Sequence, residues 1–556
     1  MSKYKNLPKE KLLEIVEQQD KELQDPKKYG LFWDKEKVVE DVVADCENNL
    51  PVLKRIKNRE IKTNDNEDNI LINGDNYHAL NVLNYTHRNK IDVIYIDPPY
   101  NTGNKDFKYN DSFVDRENSY RHSMWLNFIE KRLIIGKKLL NDKGVIFISI
   151  DHNEFAQLKL LCDRIFGELN FVANYIWESR SGKGATAKYV VNQHEYVLCY
   201  AKKIDNLKLK YDIRESHNGN FEDIKGKYKR EQLRQWGQGD KREDRPTMYY
   251  SVVSPDNTIV FPTKEDGSDG RWRIGEVSMK KLIDTGDVDF VSDGEKYNLY
   301  KKIRDGKITK TAFGTLLFGL GTASTGTIEI KNILGSKVFD TTKPINLIKY
   351  LLNLTDINNG IILDFMAGSG TTGHAVLDLN KEDGGNRKFI LCTNNENKIC
   401  EEVTYPRLEK AINGYKNLRK EKINGLGGNL KYFETDFVKN TNNRDQLKIN
   451  LTKKCTEILC VKENIFNLKK DKENYKIFTS NDGNKHLCIY YNFINKDFDD
   501  FIKEVTKLSG KKSVYIFALN NKINKKEFKG IKDVSFEAIP YKILEIYEQL
   551  VKISKK

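Results

Sequence analysis

The chain has 556 residues, with 94 Lys+Arg against 80 Asp+Glu and a formal net charge of +14. At roughly 100–200 residues per domain that is about three to five domains, and the basic balance fits a polyanionic partner. Eight scattered Cys with no CxxC pair exclude a disulfide framework and a zinc site, and no apolar run reaches the ~18 residues of a membrane span.

Residues 1–65 are charged, with helical apolar spacing at Leu12, Ile15 and Val16, and predict a small helical module. Their first stretch has no apolar segment of signal-peptide kind, so a cytoplasmic protein is expected. Residues 66–203 alternate strand and helix. Strands are predicted at 69–75, 91–97 and 144–150, helices at 77–85, 120–140 and 154–166, and a strand pair at 171–177 and 195–201. This pattern predicts an α/β unit on a parallel sheet. Residues 204–335 break the alternation and read as an inserted domain. The α/β pattern resumes over 336–429, with helices at 343–353 and 371–379 and strands at 360–364 and 388–392. Residues 430–556 read as a further Lys-rich α/β module with strands near 487–491 and 513–517.

The strand at 91–97 ends in Asp97-Pro98-Pro99-Tyr100. A carboxylate there lies at the carboxyl edge of a sheet, where open α/β folds bind ligands. The amino nitrogen of a nucleobase is a poor nucleophile because its lone pair is delocalised into the ring. Two acceptors on its N–H groups, the Asp97 carboxylate and a carbonyl held stiff by the proline pair, would localise that lone pair. Tyr100 offers a face for a flipped base, worth about 1–3 kcal/mol of stacking. Taken alone, the four residues favour this chemistry, with a strand stop carrying an incidental acid as the alternative.

Asp364-Phe365-Met366-Ala367-Gly368-Ser369-Gly370-Thr371-Thr372-Gly373 follows a second strand and opens a helix. Its GxGxxG fits a nucleotide loop, and Glu396 lies near the spacing of a dinucleotide-site acid. An acid at the strand end suits a sulfonium and an α-amino group better than a pyrophosphate. S-adenosylmethionine is therefore favoured over a nicotinamide cofactor, which stays an alternative.

The order of these motifs resembles the amino-methyltransferases of DNA in which the base-binding half precedes the cofactor-binding half. The cofactor loop departs by one inserted residue from the Phe-x-Gly-x-Gly form. The runs Gly74 to Leu80, Asp97 to Asn104, Tyr120 to Leu126, Ser149 to Asp151 and Arg245 to Tyr250 are similar to the modification (Mod) subunits of type III restriction–modification systems. The resemblance implies a Rossmann-like S-adenosylmethionine-dependent methyltransferase fold with permuted motif order. It implies a target-recognition domain at 204–335 and methylation of the 6-amino group of adenine in double-stranded DNA. By that resemblance Asp97 and the Pro98 carbonyl hold the amine, next to Pro99, and Tyr100 stacks on the ring. Asp364, Phe365, Ala367, Gly368, Ser369, Gly370, Thr371 and Thr372 wrap the methionine end of the cofactor. Asp75 lies near its adenine, Lys343 and Asn346 touch its carboxylate end, and Glu396 binds its ribose. A homodimer and an ATP-dependent restriction (Res) partner are implied as well.

The insert interleaves basic and aromatic residues. Lys227, Lys229, Arg230, Arg234, Trp236, Lys241, Arg242, Arg245, Arg271 and Arg273 are the candidate DNA contacts, neutralising phosphates or reading base edges. His194-Glu195 and Asp151-His152 read as core or supporting pairs, and no HExxH or similar spacing predicts a metal. No Pro precedes a Cys, so nothing supplies the nucleophile of a cytosine C5 methyltransferase. No Walker A string occurs, so an ATP-driven step would belong to a partner. Methylation of the cytosine 4-amino group, and a DNA-recognition subunit that places a nuclease, stay open as alternatives.

Overall fold

The computed structural model describes residues 31–554, apart from 35–39, 183–188, 493–495, 519–522 and positions 65, 105, 111, 217, 295, 340, 442 and 524. The spacing at Leu12, Ile15 and Val16 falls outside the described residues. The chain divides into two compact units, Met1–Leu209 with Gly314–Lys556, and Lys210–Phe313.

The larger unit runs α1 (Asp41–Asn48), β1 (Asn49–Arg55), β2 (Asp68–Asn73), α2 (Asn76–Thr86), β3 (Ile91–Ile96), α3 (Arg121–Leu139), β4 (Leu140–Ile150), α4 (Phe155–Phe166), β5 (Phe171–Glu178) and β6 (His194–Ala201). After the second unit it continues with β7 (Leu316–Leu317), α5 (Ala323–Leu334), α6 (Ile345–Leu354), β8 (Ile361–Asp364), α7 (Thr371–Asp383), β9 (Lys388–Thr393), α8 (Tyr405–Asn413) and β10 (Asn429–Lys439). These ten strands form one sheet, in the order β1-β10-β2-β9-β8-β3-β4-β6-β5-β7.

From β10 to β4 neighbouring strands are parallel, while β1, and β6 with its two neighbours, pair antiparallel. The parallel strands carry near-continuous apolar runs because helices cover both faces. Ile94, Ile96, Ile146, Ile148 and Leu363 have no exposure.

The two halves of the sequence are interleaved in this sheet. β8 and β9, from beyond the insert, lie between β2 and β3, with Leu363 opposite Ile94 and Ile390 opposite Ile70. The carboxyl ends of β3 and β8 are therefore neighbours, and the two sequence motifs meet at one edge.

Three expected boundaries move. The 1–65 segment is not wholly helical, because β1 pairs with β10 at the sheet's edge. Pro51 is tolerated there because an edge strand needs only one row of partners. Residues 430–556 do not begin a separate module at 430, since β10 belongs to the main sheet. The five strands beyond it, between Asn467 and Ile539, form a second sheet in the same unit. That part is fastened to the first by Tyr85 Oη donating to Glu537 (2.6 Å) and Tyr547 Oη donating to the Pro51 carbonyl (2.6 Å). The insert is shorter than 204–335. Its last expected stretch folds with the larger unit as α5, which Thr322 caps in a reciprocal bond with Thr325. Among the described residues no helix is long and apolar enough to cross a membrane.

The second unit packs Leu233, Val252, Val260, Trp272, Met279, Val288 and Leu299 into its own core. Its largest sheet has four antiparallel strands, ordered Phe221–Asp223, Gly226–Gln232, Tyr297–Arg304, Val288–Ser292.

Candidate active site

Asp97 follows directly on β3, and the corner after it is tied down at each step. Buried Trp125 donates from Nε1 to the Pro99 carbonyl at 2.6 Å. The Tyr100 hydroxyl lies 2.9 Å from both Asp97 Oδ1 and Glu195 Oε2, so its one proton serves one carboxylate at a time. Burial, then the charges of Asp97 and Glu195, holds this phenol well above its usual range, so it stays a donor.

Asn101 sits at φ +56°, and its amide donates to the Arg121 carbonyl (3.2 Å) and to Glu154 Oε1 (2.5 Å). The same Glu154 oxygen lies 2.7 Å from His122 Nδ1. Burial pushes the Glu154 carboxyl up to about 8, against the pull of the Asn101 bond and the Arg121 charge.

Lys343 is at this corner too. Its Nζ donates to both oxygens of Asp97, at 2.9 and 2.8 Å, and lies 3.4 Å from Glu195 Oε2. The ammonium stands 5.0 Å from the centre of the Tyr100 ring and 5.8 Å from that of Trp177. Burial alone would lower this amine, but the two carboxylates outweigh it and hold it above the ordinary lysine range. The resemblance put Lys343 at the carboxylate end of a cofactor. The structure places Lys343 on the Asp97 carboxylate and leaves Asn346 exposed in the first turn of α6.

The second motif turns from β8 into α7. Gly368 at φ +47° and Gly370 at φ +77° take left-handed backbone that a side chain would strain. At Gly373 a Cβ would come within 2.7 Å of Leu408 and 2.9 Å of Leu391, so this glycine lets helix and sheet close up. Asp364 staples the loop, accepting from the Met366 N–H (2.9 Å) and the Thr372 hydroxyl (2.5 Å). Burial pushes its carboxyl up to about 7, despite those bonds. Ser369 and Thr371 turn inward, and their hydroxyls accept from buried Arg407 at 3.1 and 2.7 Å. Burial pulls that guanidinium down to about 10. The loop's hydroxyls are thus engaged with its own scaffold.

Between the motifs lies a cavity of about 430 Å³, lined among others by Asp75, Pro99, Phe107, Met366, Gly368 and Glu396. Phe365 also borders it, while Asp75 mainly caps α2 by accepting from the Tyr77 N–H (2.6 Å). Glu396, after β9, pairs with Lys108 at 2.5 Å on the rim. Of the sequence candidates, Asp75, Pro99, Phe365, Gly368 and Glu396 meet at this cavity, and Asp97, Tyr100 and Lys343 meet beside Pro99. Sequence reading missed Trp177, Glu154 and Arg407 and gave Glu195 only a supporting role. The alternation of β6 holds the signal for Glu195: His194 is exposed and Glu195 faces the other way.

In the second unit Lys227, Lys229, Trp236, Lys241 and Arg245 are exposed. Arg230, Arg242 and Arg273 instead pair with Asp289 (2.6 Å), Asp269 (2.9 Å) and Glu231 (3.0 Å). Arg271 donates to the Gly239 carbonyl (2.5 Å), and Arg234 borders a cavity of about 210 Å³ with Phe261 and Trp272. Arg242 and Arg273 stay exposed while paired, whereas Arg230, Arg234 and Arg271 are partly buried.

Residues 91–404 match a family model described as DNA methylase, N6_N4_Mtase. The StyLTI Mod subunit of a type III restriction–modification enzyme, from Salmonella typhimurium, is 33% identical over 67% of this chain and 59% of its own. The EcoPI Mod subunit, from Escherichia phage P1, is 34% identical over 70% of this chain and 66% of its own. The type II methyltransferase M.KpnI, from Klebsiella pneumoniae, is 36% identical over 58% of this chain and 79% of its own. The chain thus spans 59 to 66% of the length of the two Mod subunits. With its acid-proline corner and glycine loop on adjacent strands, and the family match running through both, the chain belongs to the N6/N4 DNA methylases.

Proposed function

We propose that this protein is a site-specific DNA methyltransferase. It transfers a methyl group from S-adenosylmethionine to the 6-amino group of adenine and serves as the modification and recognition subunit of a type III restriction–modification system. One observation carries the reading. The Asp97 carboxylate stands beside the loop cavity with an ammonium already hydrogen-bonded to both its oxygens, so the corner is built to receive N–H donors.

The cavity fits the cofactor by its donor set. Phe107 and Ile399 are apolar walls for a flat base, Asp75 and Glu396 are acceptors for hydroxyl and amino groups, and Met366 and Gly368 border the same space. S-adenosylmethionine, when bound, supplies a methyl group on a positively charged sulfur. The residues of the chain do the rest. Asp97 accepts from one N–H of the flipped base and, with the Pro98 carbonyl, draws the lone pair out of the ring. The positive charge that grows on the amine falls against the Asp97 carboxylate. Tyr100 supplies a ring face and keeps its own proton. Trp125 and Asn101 hold the corner in place, so little reorganisation accompanies the reaction.

Double-stranded DNA is the polyanion that the charge of +14 anticipates, with the exposed cations of the second unit as its contacts. A homodimer, and a Res partner that supplies ATP-driven cleavage, complete the proposal. Single-molecule sequencing of DNA from cells expressing the protein tests it. Methylated adenine in one asymmetric motif is the expected result, and DNA without modification contradicts it.

A further inference from the structure

Asp97 can serve the target amine only if its oxygens are available, and in the free chain both are taken by Lys343. Lys343 and the substrate are rivals of the same chemical kind, each an amine whose N–H groups seek the same carboxylate. The lysine is well enclosed, its side chain 8% exposed between two carboxylates and two rings. It lies in the link before α6, so its four-bond side chain can swing without moving a helix. A second acceptor is already within reach, since Glu195 Oε2 is 3.4 Å from Nζ and shares the Tyr100 hydroxyl with Asp97.

We propose that Lys343 is a displaceable internal ligand of Asp97. It fills the amine-acceptor position in the free enzyme and moves onto Glu195 when an exocyclic amine enters. This rests on the methyltransferase reading above and adds a positioning and specificity role that the reaction itself does not require. The exchange keeps the buried ammonium beside a carboxylate throughout, so neither state leaves it a lone buried charge. It also makes entry conditional. A flipped base that offers only a carbonyl to Asp97 cannot replace the lysine, whereas an amino group can.

The test uses full-length Lys343→Ala protein, S-adenosylmethionine, substrate DNA and ethylammonium chloride at constant ionic strength. Wild-type protein runs in parallel. If the lysine is a displaceable occupant, ethylammonium enters the vacated cage and competes with DNA. It raises KM for DNA about tenfold and leaves kcat unchanged. The wild type does not respond, and neither does the variant to tetramethylammonium, which has no N–H. Rescue of a depressed kcat by ethylammonium would overturn the proposal, because the cation would then be a fixed part of the site. Absence of any effect on KM would overturn it too.

A second variant guards against misfolding of the first. Glu195→Gln keeps an acceptor for the Tyr100 hydroxyl but weakens the alternative berth. It should raise KM for DNA about tenfold with kcat and Tm held. An unchanged KM, or kcat and Tm falling together, contradicts the proposal. Wild-type turnover in the same assay separates the two levels. Without it the methyltransferase reading fails, and with it only the role of Lys343 is in question.

Discussion

Asp97 and Asp364 end neighbouring strands of one sheet, yet the fold treats them in opposite ways. Asp97 is half-buried, accepts from an ammonium and shares the Tyr100 hydroxyl with Glu195. Asp364 is buried, has no cation among its hydrogen-bond partners, and is held by a backbone N–H and a hydroxyl of its own loop. Two acids in equivalent places have thus been given different work. One accepts from an ammonium brought in by a distant segment, and the other is a staple that shapes a loop. The surroundings, and not the residue type, make the difference.

The largest break in this comparison is Asp97→Ala. It should lower methylation by about a thousandfold, the scale on which removing a preorganised electrostatic partner acts. Cofactor binding, measured by calorimetry, should be retained. Loss of cofactor binding to the same extent would show that the two corners do not divide the work as described.

The loop side should break through packing. Gly373→Ala drives a Cβ against Leu408 and Leu391, and overpacking of this kind costs about 1–3 kcal/mol. A lowered Tm, with weaker cofactor binding and an intact Asp97 corner, is the expected result of thermal melts and calorimetry. An unchanged Tm would mean that helix and sheet are not closely seated there.

The third test is the pH dependence of Asp364. Its folded value of about 7 lies above the unfolded carboxylate range, so the folded chain binds the extra proton between the two. That contribution is fully present below the unfolded value and is lost as pH rises through about 7. Asp364→Asn should therefore flatten the fall in Tm that wild type shows between about pH 5 and 8. Parallel Tm curves for the two proteins would contradict the assignment.

The smallest effect belongs to Glu154, which supports the Asp97 corner from behind through Asn101. Raised to about 8, it too contributes stability that fades as pH rises through that value. Glu154→Gln should gain in Tm relative to wild type above about pH 8, with kcat reduced only a few-fold. A large loss of kcat would move Glu154 from a support to a participant.

Much of this geometry was legible in the sequence because it is local. β-branched runs that stop at Asp97 and Asp364, two prolines in one case and glycines in the other, fix where strands end and what stands at their ends. What was not legible depends on distant partners. Lys343 reaches Asp97 across 246 positions, and no local pattern distinguishes it from a surface lysine. Arg407 under the glycine loop and Trp177 beside the cage are similar cases. β1 was missed because its apolar residues surround a proline and gain a partner only from β10, near the other end of the sheet-forming chain. The far boundary of the insert was misplaced because composition continues smoothly into α5, whereas packing does not.

The role proposed for the Asp97 corner is to present the 6-amino group of adenine to a methyl donor. Its most direct test is mass spectrometry of nucleosides from DNA incubated with wild-type protein and S-adenosylmethionine carrying an isotope-labelled methyl group. Label should appear in N6-methyladenine with the wild type, and not when Asp97→Ala replaces it. Label in N4-methylcytosine, or equal labelling by the two proteins, would contradict it.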